Sequence, residues 1–139
     1  MSWTILGVRR AAAIGTLALA VAACAAPNSS SPAAAAKPGV PTPEPTAVAE
    51  GQTLTIQKGC GGCHIIPGIP GASGAVGPDL TGVANRATIA GGALPNNGPD
   101  DLKRWILDPP AAKPGTVMPN LGLTDNEATR IVAYLETLR

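Results

Sequence analysis

The chain has 139 residues, is 45% hydrophobic yet only 2% aromatic with no Phe, and sets ten Lys and Arg against nine Asp and Glu. That near balance argues against nucleic acid as a partner, which would need a basic surplus, and a core without rings must be filled by something else. Fifteen Pro and seventeen Gly, with six of the Pro between Pro27 and Pro45, make part of the chain non-globular and exclude a two-domain enzyme.

Arg9 and Arg10 precede Ala11 to Ala23, an apolar run of thirteen residues ending in small side chains. This is the order of a secretory signal peptide, read here as residues 1–23. The run is too short to cross a hydrocarbon core of about 30 Å, which takes roughly 20 helical residues; an uncleaved anchor is the alternative. Cys24 follows Val21-Ala22-Ala23, and this arrangement resembles the lipobox of bacterial lipoproteins, in which the Cys is acylated and becomes the first residue. Val21 departs from the Leu usual there, and ordinary cleavage at Ala20-Val21-Ala22 is the competing reading. The expected location is the outer, periplasmic face of the bacterial cytoplasmic membrane, held by a lipid on Cys24.

Residues 24–48 read as the lipidated Cys and a disordered linker, since Ser29 to Ser31, Ala33 to Ala36 and Pro41-Thr42-Pro43-Glu44-Pro45 offer almost no large apolar surface to offset the entropy of folding. Its length after Cys24 would be about 75 Å as polyproline II and about 25 to 30 Å as a flexible coil. Removal of residues 1–23 leaves eight basic against nine acidic side chains, so strong charge steering is not expected.

A helix is expected over Ala49 to Lys58, with Leu54 and Ile56 as its large apolar residues. Directly after it comes Cys60-Gly61-Gly62-Cys63-His64, the Cys-x-x-Cys-His signature of covalent c-type haem attachment. Two thiols three positions apart can reach the two vinyl groups on one side of a porphyrin, and the next residue then offers its imidazole to the iron. Structural zinc would need a second ligand pair, yet His64 is the only His. A thioredoxin-type pair would need a βαβ setting, and a disulfide across two glycines would leave His64 without a role. The three Cys divide into one lipid site and two thioether sites. One covalent haem would also supply the apolar mass that the ring-poor domain of residues 49–139 lacks.

The Gly-, Pro- and Ala-rich loop from Gly68 to Gly77 is expected to cover the lower haem edge. Pro99 to Asp108 reads as a helix with acidic Asp100 and Asp101 in its first turn and Leu102, Trp105 and Ile106 facing inward. Thr124-Asp125-Asn126-Glu127 is a capping box that opens a C-terminal amphipathic helix with Ala128, Ile131, Leu135 and Leu138 on one face. Arg86 and Trp105 are candidates to hold the haem propionates by charge-assisted or indole hydrogen bonds; a surface Arg and a core Trp are the alternatives.

With these residues in view, Ala49 to Arg139 resembles a class I mono-haem cytochrome c. The resemblance implies an all-α fold of three to four short helices and loops around one covalently bound haem c. It implies that Cys60 and Cys63 attach the haem and that His64 and Met118 ligate the iron. Met118 lies in the loop Lys113-Pro114-Gly115-Thr116-Val117-Met118-Pro119 and is the only Met besides Met1. The resemblance further implies that Pro78, in Gly77-Pro78-Asp79-Leu80, accepts a hydrogen bond from His64, and that the first and last helices cross at Gly51 and Tyr134. The aromatic residue usual before the first Cys is replaced by Thr55 and Ile56. No catalytic residue is implied.

The stretch from Gly77 to Asn97 is similar to cytochrome c domains fused to subunit II of haem-copper oxidases. The chain is also similar to the mono-haem lipoprotein subunit of alternative complex III. These resemblances imply a membrane-tethered one-electron carrier within a respiratory or photosynthetic complex. Its donor would be a multihaem cytochrome or quinol-oxidising complex, its acceptor another cytochrome, a copper protein or an oxidase. Alternatives are a free lipid-anchored shuttle to a terminal oxidase, and a haem enzyme or gas sensor with a labile sixth ligand. Partner docking is expected to rely on an apolar ring around the haem edge and to depend weakly on salt.

Overall fold

The computed structural model describes residues 39–139. The signal peptide over 1–23, Cys24 and the linker up to residue 38 lie outside the described residues.

The first helix, α1 (Pro45–Gln57), begins four residues ahead of the Ala49 start expected from the sequence. Glu44 is extended at the N-cap and Pro45 occupies the first helical position, where its fixed φ is already helical and its missing N–H is not needed. Val48, counted with the linker, is helical and packs against the core. The buried stripe of α1 is Gly51 and Thr55, one turn apart. Ile56, one of the two large apolar residues of this segment, is 55% exposed. Thr55 hides its hydroxyl by donating to the Gly51 carbonyl at 2.7 Å, so a polar residue enters the interior with its hydrogen bond made. Gly59 ends the helix in the left-handed conformation, φ +73, which glycine adopts without a Cβ clash. The chain then turns sharply into Cys60.

After the 3₁₀ turn Cys60–Gly62 and a bridge between Ile65 and Ser73, a second 3₁₀ turn covers Val83–Asn85. Two residues each in β1 (Thr88–Ile89) and β2 (Leu94–Pro95) pair antiparallel around a third such turn, Ala90–Gly92. Asn96 pins this region. Its buried side-chain amide donates to the Val83 and Arg86 carbonyls, both at 3.0 Å, and its N–H donates to the Ala87 carbonyl at 2.9 Å.

Helix α2 (Pro99–Leu107) places Leu102 and Ile106 in the core with Trp105 half-buried beside them, as the pattern predicts. The short α3 (Pro109–Ala112) is capped by Asp108, which accepts from the Ala111 N–H at 3.3 Å. No regular element lies between α3 and α4 (Asp125–Leu135). The capping box of α4 forms on both sides: Thr124 Oγ1 accepts from the Glu127 N–H at 3.2 Å, and the Glu127 carboxylate accepts from the Thr124 N–H at 2.9 Å. The helix ends at Leu135; Leu138, in the turn that follows, is still buried.

Helix α4 is the spine on which α1 and α2 pack. The α1 crossing takes place at Gly51, where a Cβ would fall 1.9 Å from the Arg130 carbonyl oxygen and 3.0 Å from the Tyr134 Cβ. The two backbones can approach this closely because glycine puts nothing between them. Tyr134 is buried, and its hydroxyl donates to the Pro67 carbonyl at 2.7 Å, fastening α4 to the loop after His64. Lys58 and Glu127 pair at 2.7 Å, and a Glu50–Arg130 pair lies along the same seam. Among the described residues the fold is all-α apart from the four residues of the small hairpin. Among the described residues, no helix is long and apolar enough to cross a membrane.

Candidate functional site

A cavity of about 490 Å³ opens between the Cys60–His64 turn, the Val83–Gly92 region, α2, α4 and the loop around Met118. Its size falls within the usual range for small-molecule and cofactor sites, roughly 300 to 1,000 Å³. The wall is mostly apolar, with Leu80, Val83, Ile89, Leu102, Ile106, Ile131 and Leu135 among its residues.

Cys60, Cys63 and His64 share one part of this wall because the turn they form is braced by backbone hydrogen bonds. The Cys63 and His64 N–H groups both donate to the Cys60 carbonyl, at 3.2 and 3.0 Å. The loop beyond supports the turn from behind. Gly74 donates to the Gly61 carbonyl at 3.2 Å and Gly77 to the Cys63 carbonyl at 2.8 Å. A Cβ on Gly61 would meet the Ala72 Cβ at 2.8 Å, and one on Gly74 would lie 2.4 Å from the Gly62 oxygen. The loop from Gly68 to Gly77 therefore buttresses the turn, and its Val76 and Gly77 line the cavity. Ala72 and Gly74 pack closely on the turn, and the Gly68 carbonyl is held by the Gln52 amide at 2.9 Å.

The His64 Nδ1 lies 2.8 Å from the Pro78 carbonyl oxygen. A carbonyl can only accept, so Nδ1 carries the proton and Nε2 is left with its lone pair for a metal. Gly77 lies against this ring. A Cβ there would come 2.3 Å from His64 Cε1 and 2.5 Å from Nδ1. That contact escaped sequence reasoning, which singled out only the neighbouring Pro78; the Gly-Pro pair was the available signal.

Burial pushes the Cys60 thiol above its ordinary pKa, with the neighbouring Cys63 adding in the same direction. The thiol is thus kept in its neutral form at neutral pH.

Met118 is half-buried in the cavity wall, in the non-helical stretch expected from the sequence. Its N–H donates to Thr116 Oγ1 at 3.3 Å. Arg86 and Trp105 both line the cavity. Arg86 donates to the Thr81 carbonyl at 2.9 Å and to the Asp79 carbonyl, so part of its guanidinium is engaged with the loop after Pro78. Hydrogen bonds from Thr81 hold the Asp79 carboxyl below its usual range, with a smaller contribution from nearby Arg86.

The charged residues in the wall are Lys58, Arg86 and Lys113, all cations. Sequence reasoning missed Thr55 and Lys113 as lining residues, since their place depends on contacts far along the chain. A mainly apolar cavity with two thiols, an oriented imidazole, a thioether and cationic groups fits an apolar macrocycle bearing carboxylates and an iron that accepts nitrogen and sulfur.

A family model described as Cytochrome c matches residues 48–139. The chain belongs to the cytochrome c family. It therefore has an all-α fold of class I type with one covalently bound haem c. Among curated proteins it is similar to cytochrome c oxidase subunit 2 of Alkalihalophilus pseudofirmus, 34% identical over 101 residues that make up 72% of this chain and 28% of that one. It is also similar to a cytochrome c homolog of Bradyrhizobium diazoefficiens, 33% identical over 63% of this chain and 56% of that one. The cytochrome c-type cyt cy of Rhodobacter capsulatus is 35% identical over 60% of this chain and 45% of its own length. The chain thus spans between about a quarter and somewhat over half the length of these relatives.

Proposed function

We propose that this cytochrome is a membrane-tethered one-electron carrier whose haem is attached through Cys60 and Cys63 and ligated by His64 and Met118. The observation that carries this reading is the single cavity lined by all four residues, with the His64 ring held by Pro78 so that Nε2 is free for iron. Bound haem supplies a reversible one-electron change at its iron. The protein's own residues orient the ligands and keep water away. Pro78 fixes the imidazole and raises its basicity. Leu102, Ile106, Ile131 and Leu135 make a dry wall. Arg86 and Trp105 would meet the propionates, and a soft thioether from Met118 would favour ferrous iron and raise the potential.

The tether would be a lipid on Cys24, after export and removal of residues 1–23, with the segment up to residue 44 as spacer. On this reading the domain stands at the periplasmic face as the mono-haem subunit of a respiratory or photosynthetic complex such as alternative complex III. A multihaem or quinol-oxidising partner gives it electrons, and a cytochrome, copper protein or oxidase takes them. The similarity to an oxidase subunit 2 favours a second reading, in which the protein is a tethered shuttle that delivers electrons to a terminal oxidase.

Optical spectra of the haem-loaded protein, oxidised and reduced, with carbon monoxide added to the reduced form, test the ligand set. Low-spin spectra with a ferric sulfur-to-iron band and only slow binding of carbon monoxide are expected. Ready carbon monoxide binding would instead indicate a labile sixth position and favour a gas sensor or haem enzyme. Purification from native membranes in mild detergent separates the two electron-transfer readings, because a subunit co-purifies with its complex and a shuttle travels alone.

A further inference from the structure

We propose that Lys113 is a positioning residue for Met118: a latch that holds the Met118 loop against the Ala90–Gly92 turn and so keeps the sixth ligand closed. The inference rests on the reading of Met118 as an iron ligand.

Lys113 is fixed at three points. Its N–H donates to the Pro109 carbonyl at 2.9 Å, its carbonyl accepts from the Thr116 N–H at 3.2 Å, and its Nζ donates to the Ala90 carbonyl at 2.8 Å across 23 positions of sequence. The segment 113–123 has no helix or strand of its own. Its remaining hydrogen bonds are local, from Met118 N–H to Thr116 and from Gly122 N–H to Asn120. Among the described residues, the Lys113 ammonium makes the hydrogen bond that carries this segment to a distant part of the chain.

The receiving end is unusual as well. Ala90 has φ +56, a left-handed conformation that a Cβ disfavours, and Gly91 and Gly92 follow at +67 and +89. A strained, two-glycine turn has little stiffness of its own, and the ammonium holds its first carbonyl in place. Both ends of the bond line the cavity. A thioether is a weak ligand, so its hold on a metal depends on how rigidly its loop is presented. Here that rigidity comes from the Lys113 bond together with the half-buried side chains of Met118, Leu121 and Leu123.

The test is carbon monoxide association with the reduced, haem-loaded full chain after rapid mixing, for the wild type, Lys113→Met, Lys113→Arg and Met118→Ala. Carbon monoxide must wait for the Met118 loop to open, so loss of one charged hydrogen bond should speed association about five- to tenfold in Lys113→Met. Lys113→Arg keeps a long cationic donor and should stay within about twofold of the wild type. Heating the ferric protein gives a second readout: in Lys113→Met the sulfur-to-iron band should fade well below the temperature at which the helices melt, whereas a merely structural role would shift both together. If Lys113→Met does not accumulate, Lys113→Gln, which shortens the reach to Ala90, replaces it with the same expectation.

An unchanged rate in Lys113→Met beside rapid binding in Met118→Ala would overturn the latch and leave the ligand assignment standing. If Met118→Ala binds carbon monoxide as slowly as the wild type does, Met118 is not the ligand and both readings fail.

Discussion

The stretch of cavity wall that bears Cys60, Cys63 and His64 and the stretch that bears Met118 are stabilised in opposite ways. The first is a lattice of backbone hydrogen bonds: Gly74 to Gly61, Gly77 to Cys63 and Leu80 to Ile65 at 2.8 to 3.2 Å, with the His64 ring itself tied to Pro78. Removing one of these leaves the others to hold the turn. The second is a run of Pro, Gly and single turns, tied to the rest of the chain through one lysine and a few half-buried side chains. On the proposed reading, attachment through the Cys60 and Cys63 thioethers would restrain the first stretch as well, so the rigid scaffold and the covalent bonds would fall on the same side. The Met118 side has no such redundancy, and small changes there should show in ligand exchange before they show in stability.

The crossing of α1 and α4 joins the two stretches, since α1 leads into Cys60 and α4 follows the Met118 loop. Breaking it should have the largest effect. In Gly51→Ala the new Cβ would overlap the Arg130 carbonyl at 1.9 Å, with backbone on both sides and no flexible side chain to yield. The helices must separate, at an expected loss of about 3 kcal/mol or more, measured by denaturant unfolding of the haem-loaded protein. Unchanged stability would mean that the close crossing does not join the two sides.

Gly77→Ala confines the damage to the histidine side. Its Cβ would sit 2.3 to 2.8 Å from three atoms of the His64 ring, so the ring must tilt or leave the Pro78 carbonyl. A stability loss of about 1 to 3 kcal/mol is expected, together with a changed low-spin spectrum and a shifted reduction potential. A spectrum and potential like the wild type would show that the loop can move as a whole and that the lattice is softer than described.

The smallest expected effect sharpens the link between the sides. Lys58, two residues before Cys60, pairs with Glu127 in the first turn of α4, and Thr124 caps the same carboxylate; together they pull the Glu127 pKa down to about 2. Because the folded-state pKa lies below the ordinary value near 4.5, the stabilisation is full above about pH 4.5 and fades as the pH falls toward 2. Glu127→Gln should therefore be less stable than the wild type at neutral pH by a small margin, and the gap should close on acidification through that window. Paired urea unfolding curves at pH 7 and pH 3 measure it; a gap that widens at low pH would contradict the assignment.

Much of the site was legible without coordinates. The Cys60-x-x-Cys63-His64 spacing, Met118 as the only methionine besides Met1 and the Gly77-Pro78 pair all carry their chemistry in residue type and order. So does the Thr124–Glu127 capping box, because a helix start is decided by neighbours three positions apart. Less legible was the start of α1, where a proline-rich composition suggested linker. Pro45 can equally open a helix, and burial of Val48 against the distant core favours helix over coil. The exposure of Ile56 beside the burial of Thr55 was likewise hidden, since the choice of inward face was made by α4 and not by hydrophobicity within α1.

Local order thus nominated the groups proposed to meet the haem: attachment, metal ligation and helix capping are short-range matters of identity and spacing. Tertiary structure alone decided how firmly each is held. That the Gly68–Gly77 loop braces the Cys60 turn, that Gly77 lies against the His64 ring and that Lys113 reaches Ala90 are consequences of chain segments 11 to 23 residues apart coming into direct contact. Close packing of that kind depends on where every neighbouring backbone lies, and no pattern within a single segment records it.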